Sequence, residues 1–413
     1  MPHILFISYD GLTDPLGQSQ ILPYLKGLTE HGYRFTILSS EKPEKFNAQK
    51  NTVISFLKDS PIKWHPIKYH KNPPVMSAVW DLYLMKRAAE KLHRADPFDM
   101  VHTRSGTPAL VGLWMKKKFG IKFLNDIRDF YAESRIDSGQ WNKSNPVYRE
   151  IYQFFKKTEE EQLQLCDGAV CLTNTAKNIL QNRLTNKDLP FQVIPCSVDM
   201  ELFNPEKISD SQKQQQRKKL GLTDDDYIIT YLGSIGTWYL TDELMKFFNE
   251  AIKKIPHAKL LFICADPVQA IKKVMYQYNI SDEKIIIIKA ARNEVPLLLS
   301  LGCFSVFFIK QCYSKQASSP TKHGELMAMG IPVITNSGIG DLDEIIHNTA
   351  SGFIIKNFSP QAYKEAISQM IHSDFDAQKI RSSALKYYNL DNAVLKYKHV
   401  YDSILLNPKL RKD

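Results

Sequence analysis

Short apolar runs rich in β-branched and aromatic residues recur along the chain. Each is followed by a longer stretch whose apolar residues return every three or four positions. In the first half HILFIS, RFTILS, MVHTR, IKFLNDI, GAVCLT and FQVIP predict strands, and in the second half YIITYLG, KLLFICA, KIIIIK, FSVFFI and IPVIT do so. Helices are predicted between them, such as ILPYLKGLTEHG, closed by Gly32 where a left-handed glycine ends a helix. Strand–helix alternation of this kind predicts α/β units around a parallel sheet. A polar, Gln/Lys-rich interval from Glu206 to Lys219 separates the halves, so one domain is expected over 1–205 and a second over 206–385. Ligands of such sheets bind at the carboxyl ends of the strands, where helix N-termini face the crevice.

The chain of 413 residues suits two domains better than one core. Its 43% hydrophobic and 24% charged residues match a soluble globular protein. The longest nearly uncharged apolar stretch, Val295–Ile309, is shorter than the roughly 20 residues a membrane-spanning helix needs. The start MPHILFISYDG has no cationic segment ahead of its apolar run, so no signal peptide and a cytoplasmic location are expected. Cys166, Cys171, Cys196, Cys264, Cys303 and Cys312 show no C-x-x-C spacing and are expected to be reduced structural thiols, with a zinc site as the alternative. The formal charge of +10 asks for an acidic partner, which could be nucleic acid, anionic lipid or a phosphorylated substrate. Its lysines and arginines are scattered in short groups without a dense aromatic-interleaved tract, which disfavours nucleic acid.

Several strand ends carry candidate chemistry. SSPTKHGELMAMGIPVITN (Ser318–Asn336) follows FSVFFI and opens a helix. Ser318, Ser319 and Thr321 can offer hydroxyls and helix N–H groups to phosphate, and Lys322 adds a point charge. Glu325 would repel phosphate but is a good acceptor for sugar hydroxyls, so a nucleotide sugar satisfies both residues. The alternative is a capped helix with an i,i+3 Lys322–Glu325 pair. In YLGSIGTW (Tyr231–Trp238), Gly233, Ser234 and Gly236 allow close approach to phosphate, or form only a tight turn. SYDGLTDPLGQSQ (Ser8–Gln20), with Gly17 and Gln18, is a long loop after the first strand that either binds or merely connects. NDIRDFYAES gathers Asp126, Arg128, Asp129 and Glu133 for sugar hydroxyls or leaving-group charge, or as a structural ion-pair cluster. His102 and Arg104 stand at the neighbouring strand end. TDDDY (Thr223–Tyr227) resembles an Asp-x-Asp metal motif, but it precedes its strand and is expected to be a solvated turn. YREIYQFFKK (Tyr148–Lys157) combines aromatics with basic residues, as a lipid-facing surface or a solvated helix face would.

Together these segments, with VIPCSVDMELFNP and ARNEVPLLLS, resemble the retaining GT-B glycosyltransferases of family 4 (glycosyl transferases group 1) across nearly the whole chain. The resemblance implies two Rossmann-like parallel-sheet domains facing a cleft, with a nucleotide-sugar donor on the C-terminal one. A glycan or lipid-diphosphate-linked acceptor would lie on the N-terminal one, near Gly17, Gln18 and Arg104. A terminal helix in 386–413, for which LDNAVLKYKHVYDSIL is the candidate, would return to the first domain ahead of a basic tail. No metal and no cofactor are implied, and a UDP-sugar is favoured over a GDP-sugar. Glu325 matches the second glutamate of the family's E-x7-E motif, whereas Ala317 stands at the first. The usual Arg and Lys after the glycine strand are also missing, with Ser234 and Trp238 in that region. Lys322 with Ser318–Thr321 is therefore expected to neutralise the diphosphate, and Arg128 to add a second cation. Asp126, Arg128 and Asp129 are the expected catalytic residues beside Lys322, with Arg128–Asp129 where many relatives carry a His-Asp pair. Ala291–Asn293, including Arg292, would face the nucleobase. Association with the cytoplasmic face of a membrane fits such an acceptor. The rivals are a sugar-nucleotide epimerase on the same fold and a catalytically degenerate nucleotide-binding partner protein.

Overall fold

The computed structural model describes residues 1–406, so the last part of the 386–413 segment expected to hold the terminal helix and basic tail lies outside the described residues. Two compact units form, one from Met1–Pro195 with the described residues from Leu390 onward and one from Cys196–Asn389.

The first unit holds seven strands: β1 (His3–Ser8), β2 (Arg34–Glu41), β3 (Ile62–Lys68), β4 (Met100–Arg104), β5 (Lys122–Ile127), β6 (Gly168–Cys171) and β7 (Phe191–Val193). They pair in parallel in the order β3-β2-β1-β4-β5-β6-β7. β1 and β4 are buried along their whole length, as parallel strands covered on both faces must be, which explains their near-continuous apolar sequence. β3 was not predicted. Its sequence IKWHPIK carries Pro66 and mostly solvent-facing residues, which only an edge strand tolerates. The terminal helix Leu390–Leu405 belongs to this unit and buries Val394, Tyr397, Val400, Tyr401 and Ile404. It packs on the helix Leu22–Glu30, where a Cβ on Gly27 would come within 2.7 Å of Val394 Cγ2.

The second unit holds β8 (Tyr227–Leu232), β9 (Ala258–Ile263), β10 (Ile285–Ile288), β11 (Phe304–Val306), β12 (Val333–Asn336) and β13 (Gly352–Ile355). Their parallel order is β10-β9-β8-β11-β12-β13. β13, the short GFII, is an edge strand with little burial and also escaped the pattern. The units divide at Pro195, ten residues before the expected limit at 205, and again at Asn389. Val198 N–H donates to Tyr388 C=O at 2.7 Å, and Arg381 donates to the Met200 and Phe203 carbonyls. These bonds tie 196–205 to the helix Ala377–Tyr388 of the second unit. The Gln/Lys-rich interval is a helix, Asp210–Lys219, that buries nothing.

In each sheet the strand order reverses direction beside its first strand, between β1 and β4 and between β8 and β11. A parallel α/β sheet opens its ligand crevice outside the carboxyl ends of the strands at such a point.

Candidate functional site

In the second unit the reversal point brings together two segments that lie far apart in sequence. Gly233, just past β8, has φ +113°, and its N–H donates to Ile263 C=O at 2.9 Å. A Cβ at Gly233 would stand 2.8 Å from Lys322 Nζ. Lys322, the second residue of the helix Thr321–Ala328, is only 5% exposed. Its Nζ has no hydrogen-bond partner and sits 3.7 Å from the Tyr239 ring centre and 4.6 Å from that of Tyr231. The ring faces supply partial compensation at most. Burial lowers the Lys322 pKa from 10.5 to about 7, against an opposing pull from Glu325. This is a basic nitrogen buried without a paired anion among the described residues.

The i,i+3 pair between Lys322 and Glu325 does not form. Glu325 Oε1 instead accepts from Arg292 Nη1 at 2.8 Å, and among the described residues no donor reaches its second oxygen. Arg292 opens the short turn Arg292–Glu294 after β10 and lies over the Phe203 ring at 5.3 Å. Burial raises the Glu325 pKa, while Arg292 and then Lys322 lower it. Ala291 N–H is taken by Glu294 within the turn, at 2.7 Å, so that amide is not available to a base. Ser319 Oγ accepts from Cys196 N–H at 3.2 Å, and Ser318 N–H donates to Lys315 C=O at 3.1 Å. Ala317 is fully buried at 0% exposure, so this position is built as apolar core rather than as a vacated carboxylate position.

The glycine loop is held by a residue that the sequence reading passed over. Asp266, three residues beyond the end of β9 at Ile263, accepts from Ile235 N–H at 2.7 Å. Lys315 Nζ lies 3.5 Å from the Trp238 ring centre and so links the loops after β8 and β11. An acidic residue just past a strand end was the only signal for the first. Nothing local signalled the second. Gly233→Ala should cost about 1–3 kcal/mol in thermal unfolding, because the new Cβ meets both an unfavourable φ and Lys322. Gly236→Ala has φ +74° but open space, so it should cost roughly the backbone penalty alone, about 1 kcal/mol.

In the first unit the expected residues gather around β5. Asp126 is 1% exposed, accepts from Tyr397 OH at 2.9 Å, and lies 3.5 Å from both Arg128 Nη1 and His102 Nε2. Burial pushes its carboxyl pKa up, but Arg128 and then His102 outweigh this and bring it to about 2. Tyr401 OH is bonded to His102 Nδ1 at 2.7 Å, and burial lowers the pKa of that histidine. Asp126 and Arg128 therefore anchor the terminal helix, and the Asp126 carboxylate has almost no surface to offer a ligand. Asp129 accepts from Ser105 Oγ at 2.9 Å. Arg104 reaches Asp10 at 3.3 Å and Gln20 C=O at 3.4 Å. Gly17 and Gln18 lie in a short helix, Pro15–Gln20, and a Cβ at Gly17 would stand 2.2 Å from Gly11 O. Backbone crowding accounts for that glycine. Glu133 pairs with Lys156 at 3.0 Å and accepts from Tyr152 OH, which ties the aromatic-basic helix Pro146–Leu165 to its neighbour. Thr223–Asp226 of the TDDDY stretch form a turn ahead of β8, which Tyr227 opens, with Asp226 accepting from Thr223 N–H at 2.7 Å. Among the described residues the six cysteines are free, four buried, Cys303 exposed and Cys312 between.

Residues 20–202 match the Glycosyltransferase Family 4 model and residues 212–387 match that of Glycosyl transferases group 1. The chain is a GT-B glycosyltransferase of family 4. UDP-Gal:alpha-D-GlcNAc-diphosphoundecaprenol alpha-1,3-galactosyltransferase of Escherichia coli is 23% identical to this glycosyltransferase over 327 residues, 77% of this chain and 78% of its own. An uncharacterised glycosyltransferase of Methanocaldococcus jannaschii is 21% identical over 402 residues, 93% and 96% of the two chains. Among solved structures, Anabaena Alr3699/HepE in complex with UDP-glucose superimposes with a TM-score of 0.71 at 13% identity, over 97% of this chain and 99% of that one. No helix among the described residues is long and apolar enough to cross a membrane.

Proposed function

We propose that this glycosyltransferase moves a sugar from a UDP-sugar, with retention of anomeric configuration, to a hydroxyl of a glycan carried on a lipid diphosphate. The observation that carries the donor half is the buried, uncompensated Lys322 packed beneath Gly233, with Glu325 one turn further along the same helix. Lys322 and the Ser318–Thr321 segment that leads into its helix meet the diphosphate, and the second oxygen of Glu325 takes the ribose hydroxyls. Gly233, Ser234 and Gly236 let backbone approach the phosphates. Arg292 orients Glu325 through their ion pair. The charge on the departing diphosphate is met by these groups without a metal ion. The leaving phosphate accepts the acceptor hydroxyl's proton, which suits a site where no pair of carboxylates is placed as nucleophile and acid. Asp126 positions Arg128, while Asp129, Arg104, Gly17 and Gln18 stand on the acceptor-side unit. The UDP-galactose donor and diphosphoundecaprenol acceptor in the name of the Escherichia coli relative support this choice of substrates, as does the UDP-glucose in the Anabaena structure. The lipid acceptor places the reaction at the cytoplasmic face of a membrane.

The test is to incubate purified protein with UDP-, GDP-, ADP- and dTDP-sugars, with and without membrane lipid extract, and with EDTA in a parallel set. Nucleotide release that requires the extract and survives EDTA supports the proposal. Conversion of the sugar without any acceptor would instead mark an epimerase. Binding without turnover would mark a nucleotide-binding partner protein, the reading that Ala317 motivates.

A further inference from the structure

One polar cluster of the first unit has no part in the sites above. Tyr9 follows β1, and Tyr69 and His70 follow β3, so all three stand at the carboxyl edge of the sheet. Asp81, in the helix Met76–Ala95, is 0% exposed. It accepts from Tyr9 OH at 2.8 Å, from His70 N–H at 3.1 Å and from His70 Nδ1 at 2.5 Å. Burial, and then Asp81 itself, raise the Tyr9 pKa far above its usual value, so the hydroxyl remains a donor. With Nδ1 donating to Asp81, Nε2 is the ring's remaining edge. The His70 side chain is 29% exposed, and Nε2 makes no hydrogen bond or ion pair among the described residues.

A sealed carboxylate that spends its hydrogen bonds on one imidazole fixes that ring's tautomer and direction. The ring then presents one aimed nitrogen to solvent. The immediate chain is basic, with Lys68 and Lys71 exposed on either side of His70 and neither in an ion pair among the described residues. Among the described residues no carboxylate other than Asp81 pairs with the ring. Nε2 faces outward from this couple, so an N–H there would donate to an anion, with the Asp81 carboxylate on the ring's opposite side. Phosphate oxygens fit this chemistry, and the neighbouring lysines add attraction.

We propose that His70, oriented by Asp81 and Tyr9, forms a phosphate-binding subsite for the acceptor's diphosphate group. The word acceptor rests on the transferase function proposed above; the phosphate chemistry does not. His70 is the binding residue and Asp81 a positioning residue.

The test titrates the intact protein, in the presence of saturating UDP, with inorganic diphosphate, geranylgeranyl diphosphate and uncharged geranylgeraniol by calorimetry. His70→Gln keeps a side-chain donor for Asp81, so it should fold, and its melting temperature is followed as a check. It should bind both diphosphates about 10–100-fold more weakly than the wild type, the loss expected for one charge-assisted hydrogen bond. Its UDP affinity should stay within about twofold, a ratio set by the same logic of a contact that UDP does not make. Asp81→Asn should produce the same selective loss if it folds. A preference for the prenyl diphosphate would identify a lipid-linked source, and equal binding of the two a water-soluble phosphorylated acceptor; both support the subsite. Equal diphosphate binding by wild type and His70→Gln overturns it, as does a loss shared by UDP and tracking a lowered melting temperature. Absence of UDP binding in the wild type would defeat the donor assignment instead, and the His70-dependent difference would still decide the subsite.

Discussion

Lys322→Met should yield a protein that melts at a higher temperature than the wild type yet no longer holds a nucleoside diphosphate. The two halves of this result share one cause. Lys322 carries its ammonium into a pocket of Tyr231, Tyr239 and Phe307 rings with no hydrogen-bond partner, and its pKa falls to about 7 because burial disfavours the charge. Folding therefore requires the lysine to lose either its proton or its hydration. The sign follows from the two pKa values. The folded value lies below the ordinary 10.5, so the cost is absent above pH 10.5, grows as the pH falls towards 7 and is constant below it. Methionine fills nearly the same volume without a charge, and exchanging buried charge for apolar packing commonly stabilises a protein by about 1–4 kcal/mol. For the ligand the balance reverses. A desolvated ammonium facing a diphosphate makes a strong charge-assisted contact, and its removal should weaken UDP binding about 100–1,000-fold. Uridine, which lacks the phosphates, should bind both proteins alike. A destabilised Lys322→Met protein with intact UDP affinity would mean that the lysine is ordinary core packing.

The second large effect concerns Glu325. Wild-type protein should prefer UDP to 2′,3′-dideoxy-UDP by about 10–100-fold, the range expected for hydrogen bonds to a charged acceptor. In Glu325→Gln that preference should shrink to about twofold or less, since a neutral amide accepts more weakly and no longer pairs with Arg292. The comparison is internal to each protein, so a general loss of stability cancels. The contrast with Lys322 is diagnostic, because Lys322→Met should weaken both nucleotides and leave their ratio unchanged. If Glu325→Gln lost both nucleotides equally, the carboxylate would serve only to hold Arg292.

Much of this arrangement is visible in the sequence because parallel sheets bury their central strands on both faces. Uninterrupted runs such as HILFIS and YIITYLG are the direct result, and they located the loops that carry Gly233 and Lys322. The edge strands β3 and β13 were hidden for the converse reason, since an edge can carry Pro66 or remain half exposed. Partnerships across the fold left less trace. The i,i+3 spacing left a Lys322–Glu325 pair open as the alternative to a ligand site, and Arg292, in the turn after β10, is what pairs with Glu325. Freed from the pair, Lys322 turns to the aromatic rings. Asp126 looked like a carboxylate available at a strand end. It is covered by Tyr397 of a helix near the end of the described chain, and no local pattern could announce that. The His70–Asp81 couple was equally silent, because its members follow a strand and lie inside a helix, with a proline-containing bend between them.

The central claim is that a buried, largely uncharged Lys322 takes up a proton when the diphosphate arrives. Calorimetric titration of UDP into the protein at about pH 8.5, in two buffers of different ionisation enthalpy, reads that proton directly, because this pH lies between the lysine's buried and ordinary values. The wild type should take up close to one proton per UDP bound, while Lys322→Met should take up none in whatever binding remains. Proton uptake of the same size in both proteins, or tight UDP binding by the wild type with no uptake, would contradict the assignment of Lys322 to the diphosphate.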